Sequence, residues 1–273
     1  MKILQRIGYH PTFERLYAKY GYPMMTRVMR GGKRGEVEFL FLGPGYEEDP
    51  PMAIPLEEAD EPNRYPIQFY DSLAAEAEIT GKKVLEVSCG HGGGASYLMR
   101  TYRPASYTGL DLNPVGISFC RERFAMPGLH FVQGDAQDLP FPDESFDVVI
   151  NLEASHSYPD FPRFLAEVAR VLKPGGTFAY ADLRLDHEVA EWTADLQNSP
   201  LQTVSHRVVN PEIVLGYEKN SKQRKEQIDH YMRFIPRRLR TSAGDFSGVE
   251  GGGNYRALQN GELSYQRYLM TKA

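Results

Sequence analysis

The stretch "LEVSCGHGGGAS" (85–96) constrains this chain most, because it joins an apolar strand signal to a helix start through a run of glycines. Glycine lets a backbone turn tightly and approach a ligand, and a helix N-terminus offers free N–H groups to an anion. The spacing of Gly90, Gly92 and Ala95 fits the dinucleotide pattern G-x-G-x-x-G/A, and Asp111 follows at about the distance of a ribose-binding carboxylate. A pyrophosphate and a carboxylate would both suit such a loop, so this pattern alone leaves the cofactor open.

The surrounding sequence sets the fold. From 66 to 78, "PIQFYDSLAAEAE" has the periodicity of an amphipathic helix. Strand signals then alternate with helices: "KKVLEVS", "SYTGLDL", "LHFVQGD", "FDVVINL" and "GTFAYADL", with helices after the glycines, from Pro114, and over "FPRFLAEVARVL". Continuous apolar strands separated by helices predict a parallel sheet covered on both faces, an α/β doubly wound fold. Residues 1–64 read as an irregular N-terminal lid and 65–273 as the main domain. Within the latter, 183–240 is expected to be a helical insertion on the acceptor side, and the segment from Asp245 to the C-terminus a hairpin closing a sheet edge. The basic run 219–240 reads as a solvated helix face.

Composition excludes some functions. A net charge of −5 over 273 residues argues against a general nucleic-acid partner. No apolar run is long enough for a membrane span, and Arg6, His10 and Pro11 interrupt the N-terminus before a signal-like core forms. A cytoplasmic location is expected. Two cysteines, Cys89 and Cys120, are too few for a disulfide framework or a four-cysteine zinc site and read as small core residues.

Four features decide the cofactor. Glu86, four residues before Gly90, suits a ligand carrying an ammonium group and is awkward for pyrophosphate. Asp111 in "GLDLNP" can accept from two ribose hydroxyls with Leu112 beside the adenine. Asp135 in "VQGDAQDLPFPDESFDVVI" can accept from an exocyclic amine while the Ala136 N–H meets a ring nitrogen. "VLKPGG" (171–176) stops a helix and feeds the fifth strand. In this order and spacing the chain resembles the class I S-adenosylmethionine-dependent methyltransferases. That resemblance implies a Rossmann-like, mostly parallel seven-stranded sheet and S-adenosylmethionine as cofactor, with S-adenosylhomocysteine as product. Glu86, Ser88, Gly90, His91, Gly92, Asp111, Leu112, Asp135, Ala136 and Asn151 are then the cofactor-binding candidates. The family often has glycine where Ser88 stands, so Ser88 must either keep an ordinary backbone conformation or contribute a hydrogen bond.

A narrower resemblance runs over most of the chain from Tyr46. "YEEDPPMAIPLEEADEPNR", "LEVSCGHGGGASYL", "ASYTGLDLNPVGI", "EASHSYPDFPRFLAEVARVLKPGG" and "GELSYQRY" are similar to the mycobacterial phthiotriolone and phenolphthiotriolone dimycocerosates methyltransferases and related glycolipid and sugar O-methyltransferases. This implies methylation of a hydroxyl on a lipid, glycolipid or sugar. Fatty-acid carboxyl methylation, a methylated-polysaccharide sugar as acceptor, and cofactor binding without chemistry are the rival readings.

An aliphatic hydroxyl has a pKa near that of water, roughly 15.7, so a base that takes the proton as the new bond forms should accelerate transfer. His156, after the fourth strand, is the candidate, and Asp182, ending the fifth, can hold its tautomer. The pair resembles the base and partner of sugar O-methyltransferases of the rebeccamycin type. Tyr46, Glu153, Tyr158 and Trp192, with Tyr20, Tyr22, Phe39 and Phe41, are candidates to line the acceptor site. Glu153, His156 and Asp182 together are compatible with a divalent metal such as magnesium, but the spacing does not require one and no metal is expected. The Tyr- and Met-rich N-terminus is compatible with a homodimer.

Overall fold

The computed structural model describes residues 21–29, 45–231 and 249–273. Seven strands form one sheet in the order β3-β2-β1-β4-β5-β7-β6. They are β1 (Lys83–Val87), β2 (Ser106–Asp111), β3 (Leu129–Gln133), β4 (Phe146–Leu152), β5 (Leu172–Leu185), β6 (Leu201–Val208) and β7 (Leu263–Lys272). The first five pair in parallel, and β7 runs antiparallel between β5 and β6. Helices α1 (Tyr22–Met29), α2 (Arg64–Ala77), α3 (Gly93–Tyr102), α4 (Pro114–Arg123), α5 (Phe161–Val171), α6 (Val189–Asn198), α7 (Asn210–Tyr231) and α8 (Gly253–Gln259) accompany them.

The period of two along each strand divides the core between the two faces of the sheet. Val84, Val148, Ile150, Ala179, Ala181, Leu183 and Leu185 pack with Ile67, Phe69 and Leu73 of α2 and with residues of α3, α4, α7 and α8. Leu85, Val87, Val149, Phe178 and Tyr180 point the other way, onto Phe164, Leu165 and Val168 of α5 and Trp192 of α6. Both faces are apolar because both are covered, which is why these strands read as unbroken apolar runs.

Local signals set the helix ends. Asn113 caps α4 by accepting from the Val115 N–H at 3.0 Å, and Asp160 caps α5 by accepting from the Arg163 N–H at 3.0 Å. Each has proline in the first turn, where a missing N–H costs nothing. The strand ends therefore meet short, well-defined loops on one side of the sheet.

Two expectations are corrected at the C-terminal half. The stretch 183–240 is helical in α6 and in α7, but it also carries β6, the edge strand. The C-terminal hairpin does not form as read. Gly253–Gln259 is helical, and β7 enters between β5 and β6 rather than closing an edge with a neighbour from its own loop. β6 is exposed along most of its length, so its pairing with β7 and not an apolar run defines it. Residues 232–240 of the basic run lie outside the described residues.

The segment 45–64 is tied down rather than loose. The Tyr46 N–H donates to the Tyr65 carbonyl and the Glu47 N–H to the Glu212 carbonyl, at 3.0 and 3.1 Å. α7 reaches this strap because Gly216 has no side chain: a Cβ there would lie 2.3 Å from the Gly45 oxygen. Gly216→Ala is expected to lower the unfolding free energy by about 1–3 kcal/mol through overpacking, measured by chemical denaturation. An unchanged midpoint would show that the strap and α7 do not pack this closely.

Candidate active site

The loop after β1 lies where the carboxyl ends of β1, β2 and β4 converge. Gly90 is left-handed, with φ of +55°, and a Cβ placed on it would meet nothing within 4 Å. Open ground in front of a backbone turn at a helix start is what an approaching cofactor needs. At Gly94 the constraint is packing: a Cβ would lie 2.1 Å from the Tyr70 ring. Tyr70 in turn donates its phenol proton to Glu86 at 2.7 Å, and Tyr107 donates to the other Glu86 oxygen at 2.8 Å. Sequence reasoning missed both tyrosines, since neither lies in a recognisable motif.

Glu86 is buried, and burial pushes its carboxyl up to about 7 against the two phenol hydrogen bonds, with the Asp111 charge adding to the rise. Its two oxygens are therefore already engaged by phenols. Asp111 accepts from the Gly90 N–H at 2.9 Å and the Asn113 N–H at 2.8 Å. Burial raises it to about 6 despite these bonds. Leu112 is 54% exposed, an apolar surface beside Asp111 that a purine could cover. Asp135 accepts from the Gln137 N–H at 2.8 Å and stands exposed, next to buried Ala136. The chemistry of this set, an open glycine turn with two acids and an apolar ledge, fits S-adenosylmethionine.

His91 lies within the glycine loop. It is buried, and its Nε2 is 2.9 Å from the Thr26 hydroxyl of α1. Asn113 donates to the same hydroxyl at 3.3 Å, and the His91 ring packs on Phe119 at 5.0 Å. His91 thus fastens a helix of the N-terminal segment to the glycine loop.

Ser88 adopts φ of +62°, so the ordinary backbone conformation is not the one used. Its hydroxyl instead lies 2.6 Å from the Tyr158 hydroxyl, which also accepts from Asn151 Nδ2 at 2.9 Å. Asn151 reaches the Val87 carbonyl at 2.9 Å as well. The end of β4 is thereby stitched to the end of β1.

Between Asn151 and Tyr158, a 3-10 turn, Ser155–Ser157, presents His156. Its Nδ1 is 2.7 Å from Asp182 Oδ1, and its N–H donates to Oδ2 at 2.9 Å. Asp182 has no exposed surface; Ser155 donates to it at 2.6 Å and Arg184 lies at 3.3 Å. Burial alone would raise this carboxyl, but the charges of His156 and Arg184 and the hydrogen bonds from His156 and Ser155 outweigh it and hold the group well below the usual carboxylate range. The His156 side chain keeps 22% exposure, so the imidazole is anchored on one side and reachable on the other.

Two acceptor-site expectations are corrected. Tyr46 is wholly buried, stacked on Phe69 at 5.1 Å with its hydroxyl on Glu48. Trp192 is buried, donates to the Tyr180 hydroxyl at 3.0 Å and lies 4.7 Å from the Arg184 guanidinium. A large aromatic whose polar tip finds a partner is free to enter the core. Tyr158 lies at the cofactor loop, and Glu153, half-buried with φ of +54°, bonds through its N–H to the Ala181 carbonyl. Tyr20, Phe39 and Phe41 and the side chain of Tyr22 lie outside the described residues. Among the described residues no group of three His, Cys, Asp or Glu side chains could hold a metal ion. Some acids of 47–61 pair within the protein: Glu47 accepts from Gln68 at 2.8 Å, Glu57 and Asp60 pair with Arg100, and Glu61 with Arg64, while Asp49 and Glu58 are exposed.

Residues 85–180 match the family described as a methyltransferase domain. Over 270 residues the chain is 53% identical to the phthiotriol/phenolphthiotriol dimycocerosates methyltransferase of Mycobacterium tuberculosis, covering 99% of this chain and 97% of that one. It is also 53% identical over 235 residues to a fatty-acid O-methyltransferase of Mycolicibacterium smegmatis, covering 86% and 84%. Among solved structures, a candidate sarcosine dimethylglycine methyltransferase from Galdieria sulphuraria matches with a TM-score of 0.72 at 18% identity, over 94% of this chain and 98% of the other.

A cationic ligand beside Glu86 favours its ionised form, so binding expels the proton that the free protein holds below pH 7. Affinity for S-adenosylhomocysteine is expected to rise with pH up to about 7 and to level off above it. Net proton release near pH 6 should be seen by calorimetry in buffers of different ionisation enthalpy. Glu86→Gln should flatten the upper part of the profile, leaving the contribution of Asp111. A wild-type affinity independent of pH would remove Glu86 from ligand recognition.

Proposed function

Since the chain belongs to the methyltransferase family that contains the phthiotriol/phenolphthiotriol dimycocerosates enzymes, we propose that it carries a methyl group from S-adenosylmethionine to a lipid hydroxyl, with His156 as general base. The observation that carries this reading is the 2.7 Å bond between His156 Nδ1 and Asp182 Oδ1 at the carboxyl ends of β4 and β5. Bound at the glycine loop, S-adenosylmethionine supplies an electrophilic methyl group on a sulfonium. Glu86, Ser88, Gly90, Asp111, Leu112, Asp135 and Ala136 hold it, with Asn151 and Tyr158 bracing Ser88.

The remaining chemistry belongs to the protein. With Nδ1–H donated to a carboxylate that stays ionised, Nε2 carries the lone pair and can accept the hydroxyl proton as the carbon–oxygen bond forms. Asp182 then faces an imidazolium and stabilises it. Because Tyr158 is bonded to Ser88, the turn that presents His156 is fixed relative to the methyl donor, and such positioning is itself a large part of the rate.

The N-terminal 64 residues serve in this proposal as a lid, supported by the hold of Thr26 on His91 and Asn113. Of the stretch 183–240, the described residues 183–231 form the acceptor-side wall together with β7 in this proposal. No helix among the described residues is long and apolar enough to cross a membrane; a cytoplasmic location and a homodimer complete the proposal, the latter tested by sedimentation. Methylation of a fatty-acid carboxylate is the second reading, favoured by the relative from Mycolicibacterium smegmatis. A carboxylate is already ionised and needs no base.

His156→Ala separates the two. Asp182 keeps Ser155 and Arg184 as partners in this variant, so the fold and S-adenosylhomocysteine affinity should be retained. For a long-chain secondary alcohol, kcat is expected to fall by about 10²–10⁴-fold, followed by transfer of labelled methyl. Label found only on fatty-acid carboxylates, and undiminished in the variant, would move the assignment to the second reading.

A further inference from the structure

Side chains alternate along a strand, so Tyr180, Asp182 and Arg184 of β5 stand on one face of the sheet. All three are buried, and all three reach a single hydroxyl, that of Ser155. Its Oγ lies 2.6 Å from the Tyr180 hydroxyl, 2.6 Å from Asp182 Oδ2 and 3.1 Å from Arg184 Nη2. Ser155 is itself buried and opens the 3-10 turn that presents His156.

The direction of each bond follows by elimination. An ionised carboxylate only accepts, and a guanidinium only donates. Ser155 has one proton, which goes to Asp182, and its lone pairs are left for Arg184 and Tyr180. Tyr180 is therefore the donor in its bond to Ser155, and burial pushes its phenol pKa up, so it keeps that proton. The Tyr180 oxygen accepts in turn from Trp192 Nε1, which can only donate, at 3.0 Å. A one-way chain of hydrogen bonds thus runs from Trp192 of α6 through Tyr180 and Ser155 to Asp182, each link polarising the next. At its end Asp182 accepts from His156 Nδ1 at 2.7 Å.

Packing accounts for the Tyr180 ring, which stacks on Phe178 at 5.2 Å and on Tyr268 at 6.1 Å. The hydroxyl adds something that phenylalanine would lack: with Asp182 and Arg184 it makes three tethers on Ser155. A turn of three residues has few backbone bonds of its own, so side-chain tethers decide where it sits. We infer that Tyr180, backed by Trp192, is a positioning residue for methyl transfer, fixing through Ser155 the turn that holds His156 against Asp182. This rests on His156 as the general base proposed above.

The test measures kcat and KM for a long-chain secondary alcohol, by transfer of labelled methyl, alongside S-adenosylhomocysteine calorimetry. It compares wild type, Tyr180→Phe, Ser155→Ala and His156→Ala, and adds Tyr180→Phe to each of the other two. Tyr180→Phe alone is expected to lower kcat about tenfold, the effect of one hydrogen bond at the transition state, with KM and cofactor affinity held. Because Tyr180 acts through Ser155 on His156, adding Tyr180→Phe to Ser155→Ala or to His156→Ala should lower kcat no further. An unchanged kcat in Tyr180→Phe, an undiminished fall in either background, or a loss carried by KM or cofactor affinity would each overturn the positioning role and leave the general base standing. Should Tyr180→Phe not fold, Ser155→Ala carries the same comparison: a fall in kcat that vanishes in the His156→Ala background is expected, and equal falls in both would overturn the role. An alcohol methylated by His156→Ala at the wild-type rate would overturn the general base, and the positioning role with it.

Discussion

Asp182 is an ionised carboxylate with no exposed surface, and keeping it ionised organises the whole reaction end of the sheet. An isolated buried charge costs several kcal/mol, so it survives only inside a full set of donors and an opposite charge. Ser155, the backbone and ring of His156, and the Leu183 N–H supply the donors, and Arg184 the charge. Arg184 is itself buried, donates to the Leu183 carbonyl and Ser155, and lies over the rings of Trp192 and Phe161 at 4.7 and 5.3 Å. The loop after β4 is clamped to β5 by this arrangement, and the imidazole has one nitrogen committed to the carboxylate as a result.

A second buried carboxylate sits at the other end of the site under opposite conditions. Burial and the nearby Asp111 charge outweigh the two phenols on Glu86, so its pKa rises where that of Asp182, faced by His156 and Arg184, falls. One carboxylate is thus held ionised by its partners, and the other is drawn toward its neutral form by burial. The two ends are joined by Tyr158, three residues from Ser155 in the chain and 2.6 Å from Ser88 in space. A shift of the glycine loop and a shift of the turn that carries His156 are therefore mechanically linked. On its far side the loop is fastened to α1 through His91 and Thr26, so the N-terminal segment is coupled to the same glycines.

The parallel half of the sheet was legible in the chain because strands covered on both faces are unbroken apolar runs, and the loops at their ends carry glycine, aspartate and proline for local reasons. The pairing of His156 with Asp182 was legible for a related reason: adjacent parallel strands put their carboxyl ends side by side. β6 was not legible, since an edge strand with an exposed surface has no apolar period and exists by pairing with β7, far along the chain, from Leu201 with Lys272 to Val208 with Gln266. Tyr46 and Trp192 were misread as acceptor-facing because an aromatic with a polar tip suits a pocket and a core equally. The difference lies in Glu48 for one and Tyr180 for the other, and no spacing rule announces those contacts.

The amino-acid sequence by itself determined the doubly wound framework, the glycine turn with its two acids, and the residue types able to move a proton. Those depend on neighbours within a few positions or on the alternation of apolar residues, which a linear reading captures. The tertiary structure alone decided that His91 holds the N-terminal helix, that Ser88 is braced by Tyr158, and that Glu86 is bound by two phenols. The pairs concerned are separated by 65 residues for Thr26 and His91 and by 70 for Ser88 and Tyr158. Hydrogen bonds act over about 3 Å, and only folding brings groups so far apart in the chain within that reach.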